Sequence, residues 1–340
     1  MKQLLSSAAR RLASSEALIR PIAIAADLFS ATRGCLMTFH RGAPARVWDK
    51  LPNRDFYLDT DFLDRFLTHL HKRGWDVVTM EEAIWRAKRG QDNDRFVNFS
   101  VDDCYRDSYE EIVPLFRRHG VPVTLFVTTG IPDGTLSLWA AGLEDTLLNN
   151  ARVMLEDGAV EVATPEAKRE QFHRIATSWD GPQAASRYRT FCALNGVDID
   201  AMHWKHAISW DMLEELRDDP LVEIGAHTVT HARISSLSPD GALGELKGSR
   251  DRLVERLGIA SRHFAFPYGR SGDCGPRDFA IARTAGYASA ATTRKGLVRS
   301  GQDAYSLPRC TINGSDRSLA TMELHLAGLT GMAARMTGRV

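Results

Sequence analysis

Phe96-Val-Asn-Phe-Ser-Val-Asp-Asp-Cys-Tyr-Arg106 is the stretch on which the fold turns. A run of strand-favouring residues ends abruptly in two adjacent carboxylates. A buried strand ending in charge is how a barrel or parallel sheet presents chemistry at its carboxyl edge. Side chains alternate along a strand, so Asp102 and Asp103 are expected to point in different directions, one able to bind a metal and the other to take a proton. An Asp-Asp pair by itself is more often a solvated strand end, so a second stretch has to support the reading.

That stretch is Leu221-Val-Glu-Ile-Gly-Ala-His-Thr-Val-Thr-His231, another apolar strand running into ligand-type residues. His227 and His231 are four apart, so one helical turn or a tight loop brings both imidazoles to one side. In a chain with 11 histidines such spacing is weak evidence. His203 and His206, three apart in a polar segment, show how cheaply such pairs arise, and they are assigned no role. Position carries more weight. Two strand ends at one barrel face would unite two imidazoles and one carboxylate, the ligand number of a hydrolytic zinc site that keeps a place for water.

Outward from these stretches the chain alternates strand and helix. Strands are expected at 35–40, 75–78, 96–101 and 121–128, with helices at 61–72, capped by Thr60, at 80–89 and at 107–119. This rhythm implies parallel strands with crossover helices. It breaks over 132–205, which reads as a helical, irregular insertion on one face of a barrel, where it would shape substrate access. It resumes with helices at 209–217, 239–257 and 276–285, strands at 221–225, 263–266, 287–292 and 306–312, and a last helix from Ser318. The expected organisation is a basic helical extension (1–34), one barrel domain (35–319) containing the insertion, and a C-terminal helix and tail (320–340).

Bulk composition narrows the function classes. The 340 residues are 44% hydrophobic and 25% charged, which suits a globular chain with a large core. Lys plus Arg (43) cancels Asp plus Glu (43), so no global field argues for a nucleic-acid partner. The five cysteines form no CxxC spacing and read as reduced thiols of a cytosolic protein. Residues 1–34 carry Lys2, Arg10, Arg11, Arg20 and Arg33 against Glu16 and Asp27. Their longest apolar run, 22–26, is too short for a signal-peptide core or a membrane span. The helix expected there either packs outside the domain or makes weak contact with a membrane surface. The expected location is accordingly cytoplasmic, peripheral to the membrane in the second case.

Three ordered motifs resemble the polysaccharide deacetylases of carbohydrate esterase family 4, the NodB-homology group. Ser100-Val-Asp-Asp-Cys104 resembles that family's Thr-Phe-Asp-Asp-Gly, His227-Thr-Val-Thr-His231 its His-(Ser/Thr)-x-x-His, and Phe264-Ala-Phe-Pro-Tyr-Gly269 its Pro-Tyr-Gly loop. The resemblance implies an α/β fold, a distorted (β/α) barrel of the NodB-homology type, and hydrolysis of N-acetyl groups on a sugar of a polysaccharide or its precursor. It implies an acetylated glycan as partner and a divalent metal, zinc by default, although cobalt or nickel also suits the ligands. Asp103, His227 and His231 would hold the metal and Asp102 would be the general base. The Tyr268 N–H would help hold the oxyanion in a loop shaped by Pro267. Thr228 and Thr230 are expected only to form the turn.

Three departures from the family pattern matter. Cys104 replaces a glycine, so a torsion easy for glycine is expected to be strained. Ala265 replaces the arginine that braces the base, so Arg106 or Arg309 must substitute, or the base is less well oriented. The late histidine that usually serves as general acid has only His325 as a counterpart, inside an amphipathic helix, where it reads as structural. Leu36-Met-Thr-Phe-His40 has the required strand-then-His pattern at the start of the chain instead. Circularly permuted members of the family carry it there, and His40 is the expected acid. Two rival functions stay open: an O-acetyl esterase or other metal-dependent C–N hydrolase on the same site, and a non-catalytic glycan-binding protein.

Overall fold

The computed structural model describes residues 33–89, 95–179, 181 and 183–336. The extension expected over 1–34 lies outside them, except that Arg33 and Gly34 open the first strand. In chain order the strands are β1 (Arg33–Phe39), β2 (Arg41–Ala43), β3 (Tyr57–Asp59), β4 (Asp76–Val77), β5 (Arg95–Asp103), β6 (Val123–Val127), β7 (Arg152–Leu155), β8 (Gly158–Glu161), β9 (Val222–Ala226), β10 (His263–Ala265), β11 (Ser289–Ala291) and β12 (Cys310–Thr311). The main sheet runs β11-β10-β9-β6-β5-β1-β12, with β4 also on β5, and its paired strands are parallel. Leu307 bridges Ala291 of β11, and β12 pairs with β1 through Met37↔Cys310 and Thr38↔Thr311. The segment from Leu307 to Thr311 thus draws the two sheet edges together into a distorted (β/α) barrel. The strand expected at 306–312 is interrupted because Pro308 has no N–H to donate to a ladder.

Register decides which residues share the carboxyl edge. Asp103 pairs with Val127, and Val127 with Ala226, the residue before His227. On the other side of β5, Phe39 pairs with Val101, so His40, the residue after β1, lies level with Asp102, the penultimate residue of β5. Parallel strands covered on both faces need apolar side chains on both, and β5 is buried from Phe96 to Asp103.

The helices pack around this sheet by their apolar stripes. Thr60–Lys72 buries Phe62, Leu63, Phe66, Leu67 and Leu70; its cap is Asp59, not Thr60, since the Asp59 carboxylate accepts from the Asp61 and Phe62 N–H groups. Ser209, Ser238 and Ser318 cap the helices Trp210–Leu216, Pro239–Leu257 and Leu319–Leu326. The helix expected over 107–119 opens with a π-turn at Ser108–Ile112 before Val113–His119 continues as α-helix.

Residues 132–205 are more ordered than their sequence suggests. The helices Trp139–Asn149, Pro165–Ser178, Ala184–Asn195 and Ile199–His206 flank an antiparallel hairpin of β7 and β8. Leu143, Leu147, Phe172, Ile175, Trp179 and Phe191 belong to a hydrophobic cluster confined to this segment. It is a small subdomain with its own core. The Asp157-Gly158 turn was the available hairpin signal, Gly158 having φ 129°.

Packing beneath the site is tight at Gly225. A Cβ there would lie 2.4 Å from the Phe126 ring, which is fully buried and supports the Arg309 guanidinium 5.4 Å from its centroid. Gly225→Ala is expected to destabilise the fold by about 1–3 kcal/mol through overpacking. The check is a lower urea midpoint at unchanged slope.

Candidate active site

Asp103, His227 and His231 bring one ligand atom each within 4.8 Å of one another, and no other such group occurs among the described residues. Asp103 Oδ1 lies 3.4 Å from His227 Nε2 and 3.2 Å from His231 Nε2. It is buried without a hydrogen-bond partner. His227 Nδ1 stands 2.8 Å from the Ala265 carbonyl, which can only accept, so Nδ1 carries the proton and Nε2 keeps its lone pair. One orphaned carboxylate oxygen and an imidazole locked in its ligating tautomer suit a divalent cation with nitrogen and oxygen ligands, zinc included. Burial opposes charge on Asp103. The His231 charge and the nearness of both imidazoles outweigh it and hold the carboxyl well below its usual range. Burial would lower His231, but Asp103 more than offsets this and raises it.

Asp102 points the other way, as alternation requires. Its two oxygens each receive a 2.7 Å bond from Arg309, from Nη1 and Nη2. Arg309 is fully buried and also donates to Thr38 Oγ1, Ser100 Oγ and the Thr292 carbonyl, so it ties β1, β5 and the end of β11 together. Burial would raise Asp102; the neighbouring Arg309 reverses that and keeps it ionised below the usual carboxylate range. Arg106 does not reach Asp102. Its guanidinium bonds the Trp204 carbonyl and Glu110, because its side chain leaves the chain toward the helical insertion. Arg309→Met strands a buried carboxylate and is expected to destabilise by about 3–5 kcal/mol, read as a lower urea midpoint.

His40 lines the same cleft as these groups. Its ring stacks on Phe56 with centroids 4.6 Å apart, and among the described residues neither ring nitrogen is committed to a protein hydrogen bond. Burial lowers its pKa despite the pull of Asp103 and Asp102, so a proton on it is held weakly. His325 is buried outside the cleft with Nδ1 2.9 Å from Thr330 Oγ1. His203 Nε2 contacts the Ile131 carbonyl.

Backbone strain is concentrated here. Among the described residues the non-glycine positions with positive φ are Asp103 (69°), Cys104 (65°), Thr228 (67°), His231 (57°) and Tyr268 (61°). Each belongs to the Asp-Asp, His-x-x-x-His or Pro-Tyr-Gly segment. Asp103 and Tyr268 each sit at the centre of a three-residue turn, closed by Cys104 N–H to Asp102 O (2.9 Å) and Gly269 N–H to Pro267 O (2.6 Å). Such torsions cost about 1–3 kcal/mol apiece and persist where surrounding structure enforces them, characteristically at functional sites. Cys104 adopts the torsion its glycine-like position implied. Its thiol is fully buried and raised well above its usual pKa by burial and by Asp103, the state of an inert packed thiol. Tyr268 is 49% exposed, its ring 5.0 Å from His231.

Some contributors had no signal in the sequence. Glu245, on the Pro239–Leu257 helix, accepts from Val229 N–H, Thr230 N–H and Thr230 Oγ1, and so fixes the loop between the two histidines. That turn is more than the two threonines alone. Phe56, which supports His40, comes from a stretch that read as irregular. The cleft is about 1380 Å³, and its wall includes Leu136, Leu138, Trp139 and Ala185 from the insertion, which therefore lies on the same face as Asp102.

The profile of the polysaccharide deacetylase family matches residues 89–165 and 183–289, more than half of the chain. The chain belongs to the polysaccharide deacetylase family. It is a deacetylase enzyme of the NodB type. Solved structures share the fold of this deacetylase at low identity. The Streptococcus pyogenes deacetylase PplD in complex with acetate is 16% identical with a TM-score of 0.57, covering 88% of this chain and 99% of its own. IcaB from Ammonifex degensii is 18% identical with a TM-score of 0.56, covering 87% and 97%. A de-N-acetylase from Aggregatibacter actinomycetemcomitans is 13% identical with a TM-score of 0.55, covering 86% and 99%. No curated protein sequence matches the deacetylase. No helix among the described residues is long and apolar enough to cross a membrane.

Proposed function

We propose that this deacetylase is a metal-dependent hydrolase of N-acetyl groups on a glycan. The observation that carries the reading is the convergence of Asp103, His227 and His231 beside an Asp102 held by buried Arg309. Asp103, His227 and His231 would hold the cation. When bound, a divalent cation there supplies Lewis acidity, polarising the acetyl carbonyl and acidifying water. Asp102, kept ionised and aimed by Arg309, takes the proton of the attacking water. The Tyr268 N–H, presented by its tight turn, donates to the oxygen that gains charge. His40 returns a proton to the amine nitrogen as the C–N bond breaks. The cleft wall contributed by the insertion sets how many sugar units are accommodated, with Trp139 as an aromatic face for a sugar ring.

Acetate release from a panel of acetylated oligosaccharides, with and without chelator, tests this. The expected result is chelator-sensitive release from amide substrates, restored by zinc, cobalt or nickel. Release from O-acetyl substrates alone would make the chain an esterase. Release that ignores thorough metal removal would overturn the metal assignment.

A further inference from the structure

The cleft is not electrically balanced, although the whole chain carries a formal net charge of 0. Its cationic lining residues, besides histidine, are Arg189, Arg233, Arg270 and Lys295. Arg233 is occupied: its Nη1 lies 2.7 Å from Asp273 and its guanidinium covers the Tyr268 ring at 4.9 Å. The side chains of Arg189, Arg270 and Lys295 form no ion pair or hydrogen bond within the described protein. The carboxylates that line the cleft are Asp102, Asp103 and Asp273, and each already faces Arg309, the two imidazoles or Arg233. Burial raises the pKa of Asp316, and Lys295 lies near enough to oppose that rise without pairing to it.

Single exposed cations are ordinarily just solvated. What separates these three is that they reach one cleft from three elements. Arg189 comes from the Ala184–Asn195 helix of the insertion, Arg270 from the loop after β10, and Lys295 from the loop after β11. A concave wall lined by one sign of charge focuses its field and concentrates ligands of the other sign. Arginine in particular matches planar carboxylate and phosphate groups.

We propose that the glycan accepted by this cleft carries an anionic group, a carboxylate or a phosphate, held by Arg189, Arg270 and Lys295 while its acetamide reaches Asp102. This rests on the deacetylase reading of the same site. It narrows the substrate class to acidic acetylated glycans and assigns the three cations a part in specificity.

The test compares kcat/KM for acetate release from three oligosaccharides of matched length: a neutral N-acetylhexosamine oligomer, one alternating N-acetylhexosamine with hexuronate, and one bearing phosphate. At low salt at least one acidic oligomer is expected to exceed the neutral one by about tenfold or more. The gap should close near 1 M salt, where the Debye length is about 3 Å. The variant Arg189→Gln/Arg270→Gln/Lys295→Gln should bring the acidic-to-neutral ratio close to one, chiefly through KM. Which acidic oligomer leads distinguishes carboxylate from phosphate. Equal use of neutral and acidic oligomers at low salt, or a preference that survives the triple variant, overturns the proposal. Titration calorimetry of the same oligomers with Asp102→Asn reads binding without turnover. No acetate from any oligomer, with salt-sensitive binding of the acidic ones retained, would remove the deacetylase reading and leave the cationic site standing. No preferential binding of either acidic oligomer would remove the site.

Discussion

Asp103→Ala, His227→Ala and His231→Ala are each expected to lose bound metal and acetate release together, while the barrel stays folded. Asp103 Oδ1 faces both Nε2 atoms and has no hydrogen-bond donor of its own, so deleting any of the three leaves a site short of a ligand. Metal binding to the native state alone stabilises it by mass action, about 2.7 kcal/mol at a hundred times the dissociation constant. The wild type should therefore melt higher with zinc than with chelator, and the ligand variants should show no such shift. Asp102→Asn separates base from ligand. Its carboxylate is turned toward Arg309, so the variant should retain metal and the zinc-dependent melting shift. Its turnover should fall by about a hundredfold to ten-thousandfold, the scale of a lost acid–base group. Full metal content in His227→Ala, by elemental analysis of the dialysed protein, would dismantle the ligand assignment.

His40→Ala is expected to lower turnover on acetamides by a similar factor, about a hundredfold to ten-thousandfold. An amine leaving from carbon needs a proton, and His40 is the cleft histidine whose ring nitrogens face no protein partner among the described residues. Activated esters, whose leaving groups depart as stable anions, should lose far less. His325→Ala should cost only packing and its bond to Thr330. Loss on amides and activated esters in equal measure would mean that His40 shapes the site without delivering a proton. Essential His325 with dispensable His40 would relocate the acid altogether.

Apolar strand runs with abrupt polar ends were enough to place Asp102, Asp103, His227 and His231 at one barrel edge. Parallel strands buried on both faces leave a plain apolar record, and the β/α rhythm leaves little topological choice. The family resemblance also marked Cys104, which stands where that family has glycine and is therefore expected to adopt a torsion easy for glycine. Side-chain partnership across the fold was not legible in the same way. The choice of Arg309 over Arg106 depends on β12 lying beside β1, which brings position 309 to position 102 across 207 residues of chain. The same holds for Glu245 beneath the histidine loop and for Phe56 against His40. The insertion's core escaped because its apolar residues are spread over short helices and a hairpin, none periodic enough to stand out alone. Periodicity and turn chemistry act between near neighbours, so one sequence records them. The pairing of a buried arginine with one carboxylate, and three cations left over around a cleft, arise from distances that exist only once the chain has closed on itself.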